Sequence, residues 1–194
     1  EQWRAAGRAR RTLSASTSSV LTLDPFERAI RGEVDVGIPA IDTAAVARPG
    51  LDLRMAVTAV RARQTHYVCG DGTIVGTDAV TPLRDGAPPV GLIDGAIASS
   101  SVPMVFPPRR LGEETYLDGG CLQNIPLAAA VALEATRIFT VVAAPLRDDD
   151  GSERPARGPM WAARELGFLE TQEANLAIPL PEGTTNAVIA PTLD

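Results

Sequence analysis

The chain has 194 residues with 18 basic and 24 acidic side chains, a net charge of −6, and 45% apolar against 22% charged residues. This is the balance of a single soluble domain with room for a sizeable core. It argues against a general nucleic-acid binder, and no apolar stretch approaches the length of a membrane-spanning helix.

The basic residues are all arginine, and the aromatic fraction is 4%, so the core must be built from Ala, Val, Leu and Ile. Two cysteines, Cys69 and Cys121, make no disulfide framework and read as reduced thiols, with one bridge as the alternative. A single histidine, His66, excludes a His/Cys zinc cluster within the chain. The first dozen residues are Arg-rich without an apolar run, so they do not read as a secretory signal and a cytoplasmic location is expected. The first methionine is Met55, so further sequence is expected upstream of Glu1.

In chain order, residues 1–22 read as a helix end running into a Ser/Thr-rich loop. Arg4, Arg8, Arg10 and Arg11 form a solvated basic face there, with transient contact to anionic headgroups as the alternative. Asp24-Pro25-Phe26-Glu27 is a helix start: Asp24 suits the cap, Pro25 the first position, and Glu27 the return bond of a capping box. That helix should run through Ile30 and stop near Gly32. Leu51, Leu53, Met55, Val57 and Ala59 alternate with Asp52, Arg54, Ala56 and Thr58, the period of a strand.

His66-Tyr67-Val68-Cys69 and Thr73-Ile74-Val75 flank Gly70-Asp71-Gly72, a hairpin pattern. Residues 79–89 read as a loop, and 92–100 as a short helix ending before Pro103. Arg109-Arg110-Leu111, a turn at Gly112-Glu113-Glu114, and Thr115-Tyr116-Leu117-Asp118 form a second hairpin-like unit. A helix over about 126–135 follows. Residues 138–143 form a continuous apolar run, as in a strand buried on both faces. Residues 147–158 read as a charged surface loop, 160–176 as a helix, and Ala187-Val188-Ile189-Ala190 as a last strand. Strands interleaved with helices indicate a layered α/β domain.

The richest stretch runs from Ala96 to Val142. An aspartate at a strand end, as Asp118 is, points into the crevice where open α/β sheets bind ligands. Gly119 and Gly120 let the backbone turn sharply and approach another segment closely. Asn124 and Pro126 suit the start of a helix. Taken alone, an Asp-Gly-Gly is a common turn.

The ordered string is more specific. Ala98-Ser99-Ser100…Pro103…Phe106…Pro108, then Tyr116-Leu117-Asp118-Gly119-Gly120, then Asn124-Ile125-Pro126 resembles the C-terminal half of the patatin-like phospholipase family, with weaker similarity over roughly Leu21 to Leu193. The resemblance implies a patatin-like layered sheet flanked by helices, incomplete on its N-terminal side, with residues 1–194 forming the C-terminal portion of a single hydrolase domain. It implies a lipid acyl hydrolase, of phospholipase or esterase type, working through a Ser-Asp dyad without metal or organic cofactor. Asp118 matches the dyad aspartate, and Gly119 and Gly120 complete its motif. An ordinary aspartate, with a pKa of about 3.9, is a weak base at neutral pH. Burial in an apolar crevice would be expected to raise it.

No Gly-x-Ser-x-Gly occurs in the chain, nor a Gly-x-Gly-x-x-Gly near its start. The expectation is that both precede the chain or lie on a separate partner chain, and that these 194 residues alone are inactive. The alternative is a non-catalytic lipid-binding or scaffold homologue that lacks the nucleophile. Ser99, Ser100 and Ser101 lie on no strand-to-helix elbow and read as a turn element. His66 precedes Asp118, against the order Ser, acid, His of α/β-hydrolases, and reads as a satisfied or exposed histidine rather than a general base. Cys121 reads as a small packing residue beside the crevice.

Overall fold

The computed structural model describes residues 19–46, 48–84, 86–142 and 159–190, with 159–166 described as helix backbone only. The expected loop over 147–158 and the basic cluster Arg4 to Arg11 lie outside the described residues.

A five-stranded antiparallel sheet forms the centre. Its strands are β1 (Arg54–Ala59), β2 (Gln64–Cys69), β3 (Ile74–Val75), β4 (Arg109–Leu111) and β5 (Glu114–Asp118), in the order β3-β2-β1-β5-β4. The second hairpin therefore returns to pair with β1: Val57, Thr58 and Ala59 face Asp118, Leu117 and Tyr116. On its other side β1 pairs with β2, Ala56 opposite Tyr67 and Val57 opposite His66. Held from both sides, β1 is buried over its last four residues. Both hairpins follow the expected turn chemistry. Gly72 (φ +84°) and Gly112 (φ +62°) adopt the left-handed backbone that glycine accepts without strain.

Successive side chains of a strand point to opposite faces. On one face Val57, Ala59, Val68 and Tyr116 form a core with Ala98 of helix α3 (Leu92–Ser99). Gly95 brings α3 close: a Cβ there would lie 2.7 Å from Val68 Cγ1 and 2.8 Å from Met55 Cε. On the other face Ala56, Tyr67, Cys69 and Val75 pack with Ala79 and Ala129. Ala129 belongs to helix α4 (Leu127–Ala132), which is shorter than the expected 126–135.

Helix α1 (Asp24–Ile30) begins where expected and ends before Gly32 (φ +74°), while a short helix α2 spans Thr43–Val46. The capping box does not form, because Asp24 is already inside α1 and no side chain caps that helix. Glu27 instead receives two arginines. Arg31 Nη2 lies 2.8 Å from its Oε1, and Arg109 Nη1 lies 3.1 Å from its Oε2. Both arginines also reach Asp94, so one ionic network ties α1, α3 and β4.

Beyond α4 lies a second, smaller core. Strand β6 (Arg137–Val141) pairs in parallel with β7 (Thr185–Ile189), and helix α5 (Pro159–Leu176) intervenes in the chain. Ile125, Leu127, Ile138 and Val142 pack there with Leu176 and Ile178. The expectation that β6 is buried on both faces is not met. Its residues alternate, and Phe139 and Val141 are 64% and 74% exposed. A two-stranded pair with one covered face needs only every second residue to be sheltered. Among the described residues no helix is long and apolar enough to cross a membrane.

Candidate active site

Asp118 closes β5 and is half-buried. Its backbone is fixed from two directions. Its N–H donates to Ser101 O at 3.0 Å, and Thr58 Oγ1 donates to its carbonyl at 2.9 Å. The chain then enters a 3-10 turn, Gly119–Cys121, which the Asp118 carboxylate caps: Gly120 N–H donates to Oδ1 at 2.6 Å. An amide bond to a carboxylate is charge-assisted and strongly oriented, so the side chain is aimed by the turn that follows it.

The two glycines answer to different neighbours. A Cβ on Gly119 would stand 2.2 Å from Ala56 O and 2.5 Å from Ala56 C, inside the main chain of β1. A Cβ on Gly120 would stand 2.6 Å from Phe168 Cε1 on α5 and 2.9 Å from Asp118 Oδ1. Neither φ is left-handed, so close approach rather than backbone strain favours glycine, firmly at Gly119, where the obstacle is main chain, and less so at Gly120, where the obstacles are side-chain tips.

Gly120 and Cys121 line an open cleft of about 350 Å3 with Pro103, Met104, Phe168 and Thr171. Its size lies at the small end of ligand pockets. Neither Cys121 nor Cys69 forms a disulfide. Cys69 is buried in the sheet, and burial raises its thiol above the ordinary range.

Two serines of the preceding segment are engaged in the scaffold. Ser99 Oγ donates to Ala56 O at 2.8 Å, and Ser101 Oγ donates to Ile97 O at 2.8 Å with no exposed surface. Ser101 thus secures the end of α3 with its hydroxyl and Asp118 with its carbonyl. His66 stands across β1 from Asp118, since both pair with Val57. Two strand spacings separate them, about 9–10 Å, beyond hydrogen-bond reach. Its Nδ1 instead meets Tyr116 Oη at 3.2 Å, ring edge to ring face. Burial pushes the imidazole below its ordinary range, with Glu114 pulling weakly the other way. The structure therefore brings Asp118, Gly119 and Gly120 into one rigid turn and keeps His66 apart from it.

Helix α5 contributes contacts that sequence reading missed. Asn124 Nδ2 donates to Gln172 Oε1 at 3.1 Å, and Ile125 N–H donates to Asn175 Oδ1 at 3.1 Å. Gln172 and Asn175 are 3% and 8% exposed. The available signal was faint: Phe168, Gln172 and Asn175, spaced four and three apart, form a stripe without charge on the side of the helix away from Glu170 and Glu173. Nearer the sheet, Tyr67 Oη donates to Gln123 Oε1 at 2.7 Å, and burial raises the phenol to about 12.

A search of curated proteins finds no match to the chain. The family model described as Patatin-like phospholipase matches residues 2–131, a stretch that includes the whole five-stranded sheet, the Asp118 turn and most of α4. That span exceeds half of the 194 residues, and the chain belongs to the patatin-like phospholipase family, a family of lipid hydrolases.

Proposed function

We propose that this chain supplies the base of a Ser-Asp dyad that hydrolyses lipid esters, with Asp118 as that base. The nucleophilic serine, on a Gly-x-Ser-x-Gly elbow, and the oxyanion hole come from sequence that precedes the chain or from a partner chain. The observation that supports the reading is the turn after Asp118: its Oδ1 accepts from Gly120 N–H, Gly119 abuts the main chain of β1, and the next residues, Gly120 and Cys121, line the cleft. In the reaction the serine Oγ attacks the acyl carbonyl while the Asp118 carboxylate takes its proton. The tetrahedral intermediate collapses, and the proton passes from Asp118 to the leaving alcohol. Water then attacks the acyl-serine, again giving a proton to Asp118, and the fatty acid leaves as the serine is re-protonated.

The test is Asp118→Asn in the complete protein, assayed on a short-chain chromogenic ester. Loss of a general base lowers kcat by about 100-fold or more. Activity near wild type removes Asp118 from the mechanism. The 194-residue chain alone should be inactive and should not react with a fluorophosphonate probe, whereas the complete protein should be labelled at the elbow serine. An upstream reading frame without a Gly-x-Ser-x-Gly, together with no labelling, makes the chain a lipid-binding scaffold instead.

A further inference from the structure

The matched family stretch ends at residue 131, before the side chains that hold the segment after Asp118. Those side chains come from α5. Phe168, Gln172 and Asn175 recur at i, i+4 and i+7, one stripe of a helix with 3.6 residues per turn. Each meets a different point on one continuous segment. Phe168 abuts Gly120, Gln172 Oε1 accepts from the Asn124 amide at 3.1 Å, and Asn175 Oδ1 accepts from Ile125 N–H at 3.1 Å. Asn124 in turn leans on Gly120, since a Cβ there would lie 3.3 Å from its Oδ1.

The acceptor also matters for stability: a backbone N–H cannot be exchanged for an apolar group, so an apolar residue at 175 would leave the buried Ile125 N–H without its acceptor. The buried Nε2 of Gln172 has no hydrogen-bond partner among the described residues, so its side chain holds the segment through Oε1. What an amide acceptor adds is direction: it fixes where the Ile125 N–H and the Asn124 amide lie, and hence the path of the chain back to Gly120.

We propose that Gln172 and Asn175 are positioning residues for Asp118. They act through Asn124 and Ile125, which set the Gly119–Cys121 turn and so the N–H that aims the carboxylate. The inference rests on Asp118 serving as the dyad base. A misplacement of about 1 Å in a reacting group lowers rate by about 100-fold, so a slackened turn is expected to act on kcat and leave binding of substrate alone.

The experiment uses the full-length hydrolase and a chromogenic ester, with kcat expressed per site titrated to end point by a fluorophosphonate. Gln172→Ala and Asn175→Ala are each expected to lower kcat per site by about 10-fold, and the double variant by about 100-fold. KM should stay within about twofold. Asn175→Asp keeps an oxygen acceptor for Ile125 N–H and should recover kcat to within about threefold of wild type. Counting only titrated sites removes unfolded protein from the comparison. The inference is overturned if both alanine variants keep wild-type kcat per site while Asp118→Asn is inactive. It is equally overturned if Asn175→Asp is no better than Asn175→Ala, since the helix would then act as packing alone. Wild-type kcat in Asp118→Asn sinks the dyad reading itself.

Discussion

Replacing Gly119 by alanine pushes a methyl group into the main chain of the central strand. The new Cβ would stand 2.2 Å from Ala56 O, 2.5 Å from Ala56 C and 2.7 Å from Ala56 Cβ, whereas ordinary contact begins at 3.4 Å. The shortfall of about 1 Å cannot be absorbed by a rotamer change, because the obstacle is backbone and Ala56 is paired to Tyr67 on β2. Overpacking costs about 1–3 kcal/mol, occasionally more. A backbone obstacle puts Gly119→Ala at about 3 kcal/mol, or a fall of about 6–12 °C in Tm for a domain of this size. Gly120→Ala meets the tip of Phe168, which can swing, and should cost about 1 kcal/mol. Gly112→Ala, in open space at φ +62°, bears only backbone strain of about 1–2 kcal/mol. Urea denaturation of the three variants, with unchanged m-values, reads this order directly. A Gly119→Ala midpoint no lower than that of Gly112→Ala, or a Gly120→Ala midpoint below both, would refute the packing of the turn against β1.

Three further outcomes follow from burial and charge. Tyr67 and Tyr116 are both raised to about 12 by burial, so the folded chain holds protons that the unfolded chain releases near pH 10. Stability is full below pH 10 and falls as pH rises through 12, by about 3 kcal/mol for each phenol. Denaturation midpoints of Tyr67→Phe over that range should show about half the wild-type loss. Burial lowers the imidazole of His66, so the unfolded chain binds the extra proton, and stability declines as pH falls below about 6.5. His66→Gln should flatten the change in urea midpoint between about pH 7 and pH 5.5. Arg109→Ala strips the guanidinium shared by Glu27 and Asp94 and leaves Arg31 to serve both. The network is about a third exposed at the arginines, so a loss of about 1–2 kcal/mol is expected, shrinking toward zero in about 1 M salt.

Local features of the fold were legible where chemistry is local. The turns at Gly72 and Gly112 announced both hairpins, and Pro103 ended α3 on schedule. Strand order was not legible, because β1 gains its second neighbour from residues about sixty positions away, as in the bond from Thr58 to the Asp118 carbonyl. The apolar run at β6 gave its conformation but not its covering: hydrophobicity cannot tell one sheltered face from two, and Phe139 and Val141 point outward. The capping pattern at Asp24 and Glu27 was present but outcompeted, since Arg31 and Arg109 offer Glu27 stronger partners than a backbone N–H. Asp118 could be picked out because a motif fixes its neighbours in sequence. Gln172 and Asn175 could not, because a neutral amide on a helix looks the same whether it meets water or a loop fifty residues upstream.

The two glycines explain why the Asp118 turn needs a pair. Gly119 is excluded from larger residues by β1, part of the five-stranded sheet, and Gly120 by Phe168 of α5, which belongs to the smaller C-terminal unit. The turn thus lies in a seam, gripped by a different layer at each residue. One glycine would let the sheet approach, but the aspartate would then be aimed from one side only. With two, the sheet sets where Asp118 emerges, through Ser101, Thr58 and Ala56, and the helix sets how the following N–H points back at it. A substitution in either layer therefore reaches the same carboxylate by a different route. In the complete protein, Gly120→Ala combined with Phe168→Ala should be less destabilising than the sum of the two single changes, because the clash is relieved, yet leave kcat depressed, because the stripe that aims the turn has lost a member. Recovery of both together would mean that the helix merely fills space.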